Sequence, residues 1–270
     1  MKEFDMERNG YPMLAEVESK SLLELSAEMM TGAEGQTPEI FSKSKEMMNT
    51  VIAYKELRMM YTCAMKEIRT KFDVLNTEFN VRYQRNPIKF ISTRLKSTAS
   101  IGDKLDRMDI PFSLENIEEH IHDVAGIRVI CAYVDDIYAL AKMLIQQDDI
   151  ELLARKDYIA NPKPNGYRSL HLIVRVPVFF ASQTKKMTVE VQIRTIAMDF
   201  WASLEHQIKY KQVIDDEKRI VGELKECADV IADTDARMLA IRKSLESTGR
   251  AQTEEDILIE KLSKIDMPFE

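Results

Sequence analysis

Between about residues 87 and 195 the apolar residues stop recurring at three- and four-residue steps. They fall instead into short alternating runs divided by short helical stretches. This change of period constrains the fold more than any other feature of the chain. Pro87 to Lys96, Val124 to Tyr133, Ile150 to Ala160, Tyr167 to Val176 and Lys186 to Arg194 read as strands. Thr98 to Met108 reads as a helix, Ser113 is placed to cap a helix running to Ile121, and Asp135 to cap one over Ile137–Ile145. Strands interleaved with helices predict an α/β (α+β) fold built on a mixed β-sheet flanked by helices.

Both flanks carry the helical period. No Gly or Pro occurs between Pro38 and Pro87, and Met48, Ile52, Met59, Cys63, Ile68, Phe72, Leu75 and Phe79 form one stripe. That stripe reads either as a packed core face or as a methionine-rich groove. Beyond Thr195, the residues Ile220, Leu224, Cys227, Ile231, Met238, Ile241 and Leu245 form a second stripe, buried against the core or joining subunits. Residues 1–38 are weakly patterned, with a helix expected over Tyr11–Thr31 and a loop over Thr31–Pro38. No apolar run approaches the roughly 18 residues of a membrane span, and the acidic N-terminus is no signal peptide. The three scattered cysteines have no metal spacing, which points to reduced thiols in a cytoplasm.

The formal net charge is −7, which argues against a general nucleic-acid binder. Yet Arg82, Arg85, Lys89, Arg94, Lys96, Lys104 and Arg107 crowd one short stretch against only Asp103 and Asp106. A local basic patch on an acidic protein suits a small polyanion.

The polar positions of three predicted strands are chemically loaded. Glu190, Gln192 and Arg194 alternate with Val189, Val191 and Ile193; Tyr167, Ser169 and His171 alternate with Leu170 and Leu172; Arg94 and Lys96 project together. One solvated face would explain a single strand, but three such faces together form a floor of cations, carboxylate, imidazole and aromatic ring. Asp123 adds a second carboxylate at the mouth of a strand, with Arg128 five residues on. Two acids among several cations suit Mg²⁺-assisted phosphoryl transfer, and equally an ordinary ion-pair network. The segment Asn161-Pro-Lys-Pro-Asn-Gly-Tyr167 favours the former. Its prolines stiffen the loop, Gly166 permits a close approach, Tyr167 offers a stacking ring, and Lys163 and Asn165 can meet phosphate or base edges.

These residues resemble the RelA/SpoT synthetase domain, and within that family the small alarmone synthetases. The matching runs are Arg94-Leu-Lys96, His122-Asp-Val-Ala-Gly-Ile-Arg128, Lys156 to His171, Val189 to Thr195 and Ala197 to His206, covering about 45–215. Pro177-Val-Phe-Phe180 resembles the RelP-like branch. The resemblance implies a nucleotidyltransferase-like sheet with long terminal helices: an extension over 1–40, a synthetase domain over 41–212 and C-terminal helices over 213–270. It implies transfer of pyrophosphate from ATP to the 3′-hydroxyl of a guanine nucleotide, without hydrolase activity. Asp123 and Glu190 match the metal-binding and catalytic acids, with Mg²⁺ as cofactor. Arg94, Lys96, Lys104 and Arg107 match the ATP side, with Arg128 lining it. Tyr167, Lys163, Asn165, His171 and Gln192 match the acceptor side for GDP or GTP, with Glu205 lining it. A homotetramer is also implied, with no membrane and no obligatory nucleic acid. In Ala154-Arg155-Lys156-Asp157 the arginine departs from its place in the long synthetases, so no role is carried over there.

His122-Asp123 spells the dyad of metal-dependent phosphohydrolases, but the chain has only four histidines and this Asp opens a strand. Two rivals remain: a toxin-type pyrophosphokinase acting on adenine nucleotides or the tRNA 3′ end, and an inactive nucleotide-binding regulator. The retained carboxylates and cations oppose the second.

Overall fold

Pro38 is the first residue of α1 (Pro38–Tyr83), where its missing N–H and fixed φ are compatible with a helix start. The structure, a computed structural model, describes residues 38–211 and 217–248. The helix expected over Tyr11–Thr31 and the loop after it, up to residue 37, lie outside the described residues. The chain divides into two units, 1–54 and 55–270. In the first, α1 exposes Met47, Met48, Val51 and Ile52. In the second it buries Leu57, Tyr61, Ala64, Met65, Ile68, Phe72, Leu75 and Phe79.

The predicted stripe is therefore right from Ile68 onward and out of phase before it, since Met59 is exposed and Cys63 only half-buried. Apolar residues are so dense between Leu57 and Met65 that several helical phases fit. The phase adopted is the one that buries the Tyr61 ring, and each such large side chain contributes roughly 1.5–3 kcal/mol. Gln84, at φ 51°, ends the helix in a left-handed turn ahead of Pro87.

The sheet contains β1 (Ile88–Leu95), β2 (Ala125–Cys131), β3 (Glu151–Asp157), β4 (Leu170–Phe179) and β5 (Thr184–Thr195), in the order β1-β2-β5-β4-β3. Only the β2/β5 pair is parallel, so the sheet is mixed as expected. Between the strands lie α2 (Thr98–Asp106), α3 (Leu114–His120) and α4 (Val134–Ile145), and after them α5 (Ile196–Lys211) and α6 (Glu217–Thr248). Val189, Val191 and Ile193 of β5 join Leu172 and Val174 of β4 and Ile127 and Val129 of β2 in the core.

Three expectations need correcting. Strand β4 starts at Leu170 rather than Tyr167, because the preceding segment folds on itself: Gly166 N donates to Lys163 O (2.8 Å) and Lys163 N to Tyr167 O (3.2 Å). Ser113 does cap α3, accepting from Asn116 N, but Asp135 is not a cap. It lies in the first turn of α4, where its charge suits the helix dipole, and pairs with Arg242 of α6. Its neighbour Asp136, 0% exposed, meets Arg85 at 2.6 Å. Finally, Met238, Ile241 and Leu245 of α6 are 51%, 54% and 68% exposed, which overturns the core reading for that part of the second stripe. Among the described side chains of α6, those buried are Ala228 and Asp235.

Candidate active site

The register of the sheet builds the site. Across it, Ser92 of β1, Arg128 of β2, Gln192 of β5, His171 of β4 and Lys156 of β3 are successive partners. Two residues along, Arg94, Gly126 and Glu190 form a second row. Side chains at matching positions of paired strands share a face, so the two rows line one floor. At Gly126 that floor is bare: an added Cβ would meet nothing nearer than Arg94 O at 3.5 Å.

Two cavities open on this floor. The first, about 300 Å³, is lined by Ser92, Arg94, Lys96, Asp123, Gly126, Ile127, Arg128, Glu190 and Gln192. Asp123 is held between two lysines, accepting from Lys96 Nζ and Lys104 Nζ at 2.7 Å each. Burial pushes its carboxyl up, but the hydrogen bonds and charges of Lys104 and Lys96 outweigh that and hold it below its ordinary value. Arg128 turns towards Asp199 of α5, at 3.3 Å. Arg107 is not brought to the cavity; it is exposed at the end of α2, its Nε donating to Asp103 O.

The second cavity, about 590 Å³, is lined by Lys163, Pro164, Asn165, Tyr167, His171, Gln192, Glu205 and Val221, so Gln192 belongs to both. Asn165 Nδ2 donates to Glu205 Oε1 (3.1 Å), while its Oδ1 accepts from Tyr167 N (3.2 Å). Lys163 Nζ sits 4.8 Å over the Tyr158 ring and 5.0 Å over that of Tyr167.

A closed circuit joins the two cavities. Arg194 donates to Tyr167 Oη (2.6 Å) and to Gln192 Oε1 (2.9 Å). Tyr167 Oη lies 2.8 Å from His171 Nε2, and His171 Nδ1 3.1 Å from Glu190 Oε1. Gln192 Nε2 closes the ring on Glu190 Oε2 (2.9 Å). Every link is met when the Tyr167 hydroxyl donates to Nε2 and Nδ1–H donates to the Glu190 carboxylate. Burial raises the Glu190 carboxyl, but His171 first and Gln192 after it hold it below its ordinary value, with the Asp123 charge opposing them. Both acids are thus ionised at neutral pH.

Arg194 is the third polar residue of the Glu190-x-Gln192-x-Arg194 face and has no role assigned by the sequence pattern. The residue is 4% exposed, and its side chain meets Tyr167, Gln192, Asp199 and Ser169. Period-two alternation was the signal, but alternation alone gives no role. Asp199, which joins Arg128 and Arg194, carries no such signal. Among the described residues no three His, Cys, Asp or Glu side chains cluster to hold a metal ion, so the His122-Asp123 pair belongs to no such cluster. None of the described helices is long and apolar enough to cross a membrane.

Comparison with known proteins places this geometry. The family model described as the region found in RelA/SpoT proteins matches residues 93–215. The GTP pyrophosphokinase YwaC of Bacillus subtilis is 44% identical over 193 residues, covering 72% of this chain and 92% of that protein. The crystal structure of small alarmone synthetase 2 from Bacillus subtilis aligns with a TM-score of 0.64 at 44% identity, over 71% of this chain and 98% of that one. That of small alarmone synthetase 1 from the same organism, bound to its product pppGpp, aligns at 0.65 and 35% identity, over 72% and 98%. With a mixed sheet, two cavities opening on one floor and likeness of this extent, the chain belongs to the RelA/SpoT family, among its small alarmone synthetases.

Proposed function

We propose that this chain is a GTP pyrophosphokinase, transferring the pyrophosphoryl group of ATP to the ribose 3′-hydroxyl of GDP or GTP to give ppGpp or pppGpp and AMP. One observation carries the reading: a cavity of cations and carboxylates meets an aromatic, amide-lined cavity at Gln192, with Glu190 at the junction. Two nucleotides lying in the two cavities would bring a phosphate chain and a ribose together beside that carboxylate.

In this reading Arg94, Lys96, Lys104 and Arg128 take the ATP phosphates, and Arg107 swings in over the adenine. Tyr167 stacks on guanine where Lys163 now lies over the ring, freeing Lys163 for the acceptor phosphates. Asn165, held by Glu205, meets the base edge. Gln192 spans both nucleotides, and His171 holds Glu190 ready to accept a proton. The acceptor 3′-oxygen attacks the β-phosphorus in line; the O3′–Pβ bond forms, the Pβ–O bond to AMP breaks, and the hydroxyl proton passes to Glu190.

Asp123 and Glu190 suit Mg²⁺: both carboxylates line one cavity, both are ionised, and hard oxygen donors with phosphate completing the shell are what that ion takes. Bound there, it would neutralise charge on the transferring phosphates. The lysines released by Asp123 would then turn to phosphate.

The same reading assigns 41–212 to the catalytic domain, with 1–40 an extension, and 213–270 to assembly of a cytoplasmic homotetramer. Exposed Met238, Ile241 and Leu245 are the surface offered for that contact. Ile241→Glu should lower the mass measured by light scattering. The decisive experiment is nucleotide product analysis with Mg²⁺ and ATP against GMP, GDP, GTP, adenine nucleotides and tRNA. A 3′-pyrophosphorylated guanine nucleotide with stoichiometric AMP is expected; product on another acceptor, or none, would overturn the reading.

A further inference from the structure

The loop that carries Lys163, Asn165 and Tyr167 leans on a helix outside the matched family region. That region ends at residue 215, and α6 begins at Glu217. Gly166, at φ +90°, sits so close to α6 that an added Cβ would lie 2.5 Å from Ala228 Cβ and 3.1 Å from Lys225 Cα. Its neighbour Arg168 reaches the same turn of the helix. One guanidinium nitrogen donates to Ala228 O (3.3 Å) and to Gly166 O (3.4 Å), the other to Asp229 Oδ1 (3.2 Å). A single side chain thus ties the loop to the helix at the point of closest approach.

The helix is itself held in place by polar contacts along its length. Trp201 Nε1 of α5 donates to Leu224 O (2.9 Å), and the Trp201 ring lies 6.4 Å from that of Tyr167. Thr195, the last residue of β5, donates to the buried Asp235 (2.6 Å) while its oxygen accepts from Met198 N. Further on, Arg242 pairs with Asp135 and stacks over Tyr133. Val221, one turn before the Gly166 contact, lines the second cavity directly.

We infer that α6 is a positioning element for the acceptor half of the site. Arg168, Ala228 and Asp229 hold the Lys163–Tyr167 loop in its binding form, and Val221 supplies a wall. The inference rests on reading that cavity as the guanine-nucleotide site. The ATP cavity has no contribution from α6 among its lining residues, so disturbing this contact should act on one substrate only. Ordering a loop in advance spares the ligand that entropic cost, so loosening it weakens binding rather than chemistry.

Steady-state kinetics of the full chain, with each nucleotide varied in turn, test this. Ala228→Leu, which crowds the Gly166 backbone, should raise the KM for GDP and GTP by roughly tenfold. The KM for ATP should stay within about twofold, and kcat likewise. Asp229→Asn, milder because that carboxylate is exposed, should raise the acceptor KM by about threefold, and Asp229→Glu should restore it. Thermal unfolding reports whether Ala228→Leu still folds; if it does not, the Asp229 pair decides. Parallel changes in both KM values, or an unmoved acceptor KM, would overturn the inference. The unsubstituted chain serves as the separate control. No product from it sinks the proposed function, whereas normal turnover with an unmoved acceptor KM in the variants sinks only the role of α6.

Discussion

The two cavities that meet at Gln192 are built by different means. The first is made from sheet floor and strand ends, with Asp123 paired to both Lys96 and Lys104. The second has a floor shared with the sheet but walls from a loop and two helices, and three of its lining side chains, Tyr167, His171 and Gln192, are tied with Arg194 and Glu190 into the circuit. A site fixed by backbone register tolerates the loss of a side chain without losing its shape. A site fixed by side-chain bonds and a braced loop loses shape and affinity together.

Glu190 stands where the two meet, and its replacement should have the largest effect. Glu190→Gln keeps the shape, removes the proton acceptor, and should lower kcat by roughly 10³-fold with both KM values little changed. Asp123→Asn should follow closely, by about 10²-fold or more, with ATP rather than acceptor binding affected. A drop confined to acceptor binding in either variant would break the division drawn above.

Tyr167 separates stacking from the circuit. Tyr167→Ala should raise the acceptor KM by roughly 10–100-fold, the range of a lost base–ring contact. Tyr167→Phe, which keeps the ring but leaves Arg194 and His171 without their shared hydroxyl, should cost only a few-fold by comparison. Equal effects would mean that the hydroxyl, not the ring, binds. On the first side, Gly126→Val should fill the bare place in the floor and raise the ATP KM by about tenfold, leaving the acceptor KM unmoved.

The smallest effect is on acid stability. Asp123 and Glu190 have folded-state values below their ordinary 3.8 and 4.5. Their contribution to stability is therefore complete above the ordinary values and is lost as pH falls through the lower folded ones. The melting temperature of Asp123→Asn should differ from the parent at neutral pH and converge with it as the pH falls below the ordinary carboxyl value of 3.8. Convergence already by pH 6 would show that the Lys96–Asp123–Lys104 pairing is not what holds this corner.

The contrast also explains what could be read beforehand. Strand positions and the polar faces of β1 and β5 follow from alternation, which is a property of neighbours in sequence. So Arg94, Lys96, Glu190 and Gln192 were legible together, and Asp123 at a strand mouth with them. The predicted start of β4 falls too early because Tyr167 keeps the alternation although its carbonyl is taken by a turn bond from Lys163 N. The bond of Arg194 to Tyr167, that of Asp199 to Arg128 and the brace on α6 are contacts between residues far apart in sequence, for which periodicity holds no information. Likewise Asp135 has the chemistry of a cap, but the helix starts one residue before it.

The pairing of Asp123 with Lys96 and Lys104 has a further consequence for how the site meets its solution. A pocket in which Asp123 already offsets part of the Lys96 and Lys104 charge projects less field than those lysines would alone, so nucleotide enters in part by exchanging partners, as on an ion-exchange resin. Its affinity for ATP should then vary less with ionic strength than the number of nearby lysines and arginines implies. Inorganic phosphate, with too few contacts to repay breaking both lysine bonds, should compete poorly. The protein's own carboxylate thus acts as a resident counterion, screening out small anions that resemble only a fragment of the substrate.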